Sequence, residues 1–187
     1  MTRLAFLLVG GALVVGGLAG CSSTAPTPTV SYNASENRTS YRTGTMRIGR
    51  LDGAGYGSNT AILLSVKARC SGPECTPEAA QLTFLLQGSA SDVALSNRSV
   101  SIVADGQTFT RRNTSRWHSR EDIRMSQGRV AGLRLSLSEL ETIAAASSLS
   151  GQLGDNPLDF DQNVRSHLRE FVRTARGAET SEEDGAS

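Results

Sequence analysis

The chain has 187 residues, 38% of them hydrophobic, enough for one domain with a real core but not comfortably for two. With 19 Lys+Arg against 18 Asp+Glu the formal charge is +1, which excludes nucleic-acid binding by gross charge, and 5% aromatics is low for a base-stacking surface. At 20% charged residues, 19 Gly and 5 Pro, the chain is neither charge-dominated nor collagen-like.

Met1-Thr2-Arg3 opens with a cation, and an uncharged apolar run follows from Leu4 to Leu18. Its 15 residues fall short of the roughly 20 that span a bilayer and fit the h-region of a secretory signal. The run ends on Leu18-Ala19-Gly20-Cys21, which resembles the lipobox of bacterial lipoproteins; the resemblance covers about the first 22 residues. It implies that residues 1–20 are a lipoprotein signal peptide and that the Cys21 thiol takes a diacylglyceryl group, with a palmitate-type acyl chain on the new N-terminus. The membrane is then a partner through that lipid, since several acyl chains make attachment durable where one does not. Ser22, in place of Asp, resembles the signal for outer-membrane sorting in enteric-type bacteria and implies a periplasm-facing outer-membrane location.

Cleavage leaves 167 residues with a formal charge of zero. Residues 21–42, rich in Ser, Thr, Pro and Asn, read as a flexible tether. A single globular domain is expected over residues 43–177, and residues 178–187, with Glu179, Glu182, Glu183 and Asp184, as a disordered acidic tail.

Within the domain, Met46-Arg47-Ile48 alternates, residues 51–57 form a glycine-rich loop, and Thr60–Arg69 is apolar enough for a central strand. Lipidation of Cys21 leaves Cys70 and Cys75 as an even pair in an oxidising compartment, and the intervening Gly72-Pro73 turn allows a disulfide. A redox role would call for Cys-x-x-Cys at a helix start, which this spacing lacks. Leu82, Phe84 and Leu86 recur at period two, with Thr83 and Leu85 facing elsewhere. Val100, Ile102 and Ala104 lead into Asp105-Gly106, then Thr108-Phe109, which reads as a hairpin on a type I′ turn. Leu133, Leu135 and Leu137 mark a further strand with Arg134 and Ser136 outward.

The period then changes. Ser136-x-x-Glu139 and Ser138-x-x-Glu141 are overlapping capping boxes ahead of a short helix. Ser147–Leu153 reads as a strand, Gly154–Pro157 as a turn and Leu158–Phe160 as a brief extended piece, with Asp161 as the N-cap of a second helix. That helix carries the stripe Val164, Leu168, Phe171, Val172 and Ala175, with Arg165, Arg169, Arg173, Arg176 and His167 on its polar side and Gly177 at its end. The expected class is α+β: an antiparallel sheet or partial β-barrel or sandwich with two helices in the C-terminal third.

The sequence lacks a Gly-x-Ser-x-Gly elbow, a His-Glu-x-x-His helix, a P-loop and a Ser-x-x-Lys motif, and neither His118 nor His167 has partners at metal-ligand spacing. No catalytic residue, metal site or cofactor is expected. One local cluster stands out: Arg111, Arg112, Arg116, Trp117, His118 and Arg120 within ten residues, in a stretch from Arg98 to Arg134 with a charge of +5. Guanidinium forks match phosphate and carboxylate geometry, so the cluster is a candidate patch for an anionic envelope ligand or an envelope protein. The leading expectation is a lipid-anchored, non-enzymatic binding or assembly module. The alternatives are an envelope enzyme with a dispersed acid/base site, such as His118 with Asp122, and a purely structural lipoprotein.

Overall fold

The computed structural model describes residues 27–51, 60–87, 99–112 and 130–177. Strands β1 (Thr29–Asn33), β2 (Arg38–Arg42), β3 (Met46–Arg50), β4 (Ala61–Ser71), β5 (Ala79–Gln87) and β8 (Val130–Ser136) form one antiparallel sheet. Strands β6 (Ser99–Ala104), β7 (Gln107–Arg112), β9 (Leu149–Leu153) and β10 (Asn156–Leu158) form a second. Helix α1 (Leu137–Ala145) lies between β8 and β9, and helix α2 (Gln162–Arg176) follows β10. The class is α+β, as the change of hydrophobic period in the last third predicts.

Strand β4 is the spine of the larger sheet. Ile62, Leu64, Val66 and Ala68 alternate into the core, which is what a long apolar run does when only one of its faces is covered. Strand β5 pairs with one edge of β4 from Ala61↔Gln87 to Ala68↔Ala80 and sets Leu82, Phe84 and Leu86 on the same buried side. On the other edge β2 and β3 lie end to end, β2 against Lys67–Ser71 and β3 against Ala61–Leu64. Thr43 bridges them. Its N–H donates to the Val66 carbonyl at 3.0 Å and its Oγ1 accepts from the Val66 N–H at 2.9 Å, so a side chain replaces a ladder bond where the chain bends.

The hairpin β6–β7 turns on Asp105 and Gly106, both at positive φ (46° and 86°), as the Asp-Gly dipeptide requires. The turn after β9 is tighter than expected: it occupies Gly154-Asp155 alone, and Asn156-Pro157-Leu158 pair back on β9. The two sheets approach where β10 meets β3, with the Asp159 N–H donating to the Ile48 carbonyl at 2.6 Å, and where β6 and β7 meet β8. The described strands do not close into a barrel. One hydrophobic core joins both sheets and both helices, with Phe84, Phe171, Ile62, Leu64, Ile102, Leu133 and Leu140 fully buried.

Helix α1 begins with the first of the two capping boxes. Ser136 Oγ accepts from the Glu139 N–H at 3.1 Å while Glu139 Oε2 accepts from the Ser136 N–H at 2.8 Å. The second box does not form, because with Ser136 as N-cap Glu141 already lies inside the helix, where it pairs with Arg176 of α2 at 3.0 Å. Asp161 caps α2, accepting from the Val164 N–H at 2.8 Å. The stripe Val164, Leu168, Phe171, Val172 and Ala175 is buried against α1, β2 and β3. Gly177 does end the helix, in right-handed conformation at φ −60°.

Two expectations are corrected. Residues 29–42 are not tether: β1 pairs with β2, and β2 pairs with β4. Their polar composition hides an alternation in which Thr39 and Tyr41 are buried. His167 is not on the polar side of α2. It stands three residues after Val164 and four before Phe171, within the apolar stripe, and is 5% exposed with Nδ1 2.7 Å from the Asn163 carbonyl. The 178–187 tail and the glycine-rich loop from residue 52 on lie outside the described residues.

Candidate functional site

The alternation that buries one face of the larger sheet fixes what stands on the other. Cross-strand register aligns Arg42, Lys67, Gln81 and Arg134 in one row over β2, β4, β5 and β8. Toward the β4 C-terminus Ser40 pairs with Arg69 and, on the far side of the sheet, Ala79 pairs with Ser136, and beyond them Arg38 opposes Ser71. In the other direction Ser65, Thr83 and Gly132 align first, then Arg47, Leu63 and Leu85, followed by Arg50, Ala61 and Gln87. Arg42, Arg47, Arg50, Arg69 and Arg134 are exposed, and Lys67 is half-buried.

This face therefore carries seven cations, and none of its described strand positions holds a carboxylate. The described carboxylates lie elsewhere: Glu36, Glu74 and Glu78 in the segments around β2 and β5, Asp105 and Asp155 in turns, Asp159 and Asp161 ahead of α2, and Glu139, Glu141 and Glu170 on the helices. Arg38 pairs with Glu36, whereas Arg42, Arg47, Arg50 and Arg69 have no ion-pair partner among the described residues. Like charges spaced about 5–7 Å apart by the sheet geometry repel one another, and an external polyanion relieves that repulsion.

Strand β2, which brings Arg38 and Arg42 to this face, is held by the disulfide loop. The Cys70 and Cys75 Sγ atoms are bonded at 2.18 Å with Cα atoms 5.9 Å apart. The Thr39 hydroxyl donates to the Gly72 and Pro73 carbonyls at 2.5 and 2.9 Å, and the Tyr41 hydroxyl donates to the Cys75 carbonyl at 2.8 Å. Burial pushes the Tyr41 phenol above its usual pKa, which keeps it a neutral donor. The disulfide is thus a clip that shapes acceptors for β2.

Of the arginine cluster singled out in the sequence, Arg111 and Arg112 end β7, opposite Val100 and Ser99 of β6. Arg116, Trp117, His118 and Arg120 lie outside the described residues, as does Cys21. The cations of the larger sheet were missed because they are scattered from residue 38 to residue 134. Their signal is period two: Arg38-x-Ser40-x-Arg42 and Lys67-x-Arg69 alternate with buried residues. Among the described residues no group of three His, Cys, Asp or Glu side chains is arranged to hold a metal ion, and no helix is long and apolar enough to cross a membrane. Compared with protein-family models, with curated proteins and with solved structures, the chain matches none of them.

Proposed function

We propose that the chain is a lipid-anchored envelope protein, held through Cys21 on the periplasmic side of an outer membrane, and that it works as a non-enzymatic binding or assembly module. Its working surface is the outer face of the larger sheet, which engages a polyanionic component of the envelope. One observation carries this reading: Arg42, Arg47, Arg50 and Arg69 stand exposed on a face without a carboxylate at any described strand position. A solvated structural face mixes both signs, whereas a single-sign field over a broad surface steers and holds an opposite charge. The segment from Arg111 to Arg120 is a second basic element of the same reading.

The test is recovery of the native protein from crosslinked envelopes, with mass spectrometry of its N-terminus and of what accompanies it. Acylated Cys21 together with an anionic component that is lost in an Arg42→Glu/Arg69→Glu variant is the expected result. An unmodified Cys21 would overturn the anchor, and unchanged recovery with the variant would overturn the surface.

A further inference from the structure

We infer that the partner of the basic sheet face is the phosphate-bearing headgroup surface of the same bilayer that holds Cys21, so that the domain lies with this face against its own membrane. The inference rests on the binding-module reading above and names its ligand.

The first support is the length of the leash. With β1 starting at Thr29, only the seven residues Ser22–Pro28 separate Cys21 from the sheet, and they reach at most about 25 Å when fully extended. The sheet itself is about 33 Å along β4, so the domain stays within one domain length of the lipid. The second support is where the leash joins. Thr29 is paired with Arg42, and Arg42 begins the row that continues through Lys67 to Arg134. The anchor therefore enters the fold beside the middle of the basic face. A charged surface held this close to anionic headgroups meets them at a high effective concentration.

Shape and composition select lipid over a soluble acidic chain. The cations are spread over β2, β3, β4 and β8 of an open sheet, which suits a two-dimensional array of phosphates, whereas an acidic peptide would be matched by a single line. Leu63 stands beside Arg47 and opposes Leu85 in one row, with the Arg50 row on one side and the Ser65–Thr83 row, then the central row, on the other, and both leucines are partly exposed. Arginines flanking partly exposed leucines make the pairing that seats at a headgroup boundary, with guanidinium groups on phosphates and the apolar carbons below them.

The experiment uses the mature chain from residue 21 with Cys21→Ser, so that only the protein surface binds. It is sedimented with vesicles of phosphatidylethanolamine containing phosphatidylglycerol, and with vesicles of phosphatidylethanolamine and phosphatidylcholine alone. Binding to the anionic vesicles only, weakened by salt, is the expected result. Each basic side chain near an anionic surface strengthens binding about fivefold, so Arg42→Gln/Arg69→Gln should weaken it about 25-fold. Arg169→Gln/Arg173→Gln on α2 should leave it unchanged. Equal binding to both vesicle types, or equal losses from the two double variants, would overturn the inference. Capture by immobilised polyglutamate with no vesicle binding would remove the bilayer and leave the binding-module reading standing, and binding to neither probe would remove both.

Discussion

Asp105 sits at positive φ in the β6–β7 turn and also reaches across to the start of β9. Its carboxylate accepts from the Ser147 N–H at 3.1 Å, the Ser147 hydroxyl at 2.8 Å and the Ser148 N–H at 2.8 Å. The Ser148 backbone bond first, then the Ser147 hydroxyl and backbone, hold the carboxyl below its ordinary value of 3.8. A depressed carboxyl stabilises the fold fully above its unfolded value, and the contribution is lost as pH falls through the folded value. Asp105→Asn, which tolerates the same backbone, should therefore lower the thermal midpoint at neutral pH, and the gap from wild type should narrow below pH 3.8. A gap that stays constant into acid would contradict this role. Gly151 is required for closeness: a Cβ there would lie 2.8 Å from the Phe160 ring and 3.0 Å from the Ser101 carbonyl. Gly151→Ala should cost about 1–3 kcal/mol in chemical denaturation.

At the scale of elements, local rules and tertiary competition separate cleanly. The Asp-Gly hairpin, the Asp161 cap and the stripe of α2 were legible because each depends on neighbours within a turn or two. Which of two overlapping capping boxes forms was not, since both satisfy the same local rule and strand β8 decides where the helix begins. Ser136→Ala should cost about 1 kcal/mol in a denaturation curve, while Ser138→Ala should cost far less. Removing the Cys70–Cys75 bond by Cys70→Ser/Cys75→Ser should cost about 2 kcal/mol on the chain-entropy account of so short a loop. It should also loosen β2 through the Thr39 and Tyr41 hydroxyls, read as faster amide exchange in β2 than in β9.

At the scale of the molecule, polar composition misleads at the N-terminal edge. Residues 29–42 look like linker because an edge hairpin buries only Thr39 and Tyr41 and leaves every residue of β1 exposed. Limited proteolysis of the mature protein should cut before Thr29 and spare residues 38–42; a resistant core starting after residue 42 would restore the longer tether. The basic face was illegible for a related reason. Strands β2, β3 and β4 contribute two cations each and β8 one, and only the register of these strands with β5 assembles them, whereas the arginines from residue 111 to residue 120 draw the eye by adjacency. The proposed anchor at Cys21 rests on a linear motif, which needs no fold to be read.

The central claim is that the outer face of the larger sheet is the working surface. The most direct measurement places a photoreactive side chain at Gln81, in the row between Lys67 and Arg134, and separately at Gln152, exposed on β9 of the other sheet, in cells carrying the intact protein. The account expects crosslinks into envelope material from Gln81, lost when Arg42 and Arg69 are replaced by Gln, and none from Gln152. Crosslinks from Gln152 with silence at Gln81 would contradict it.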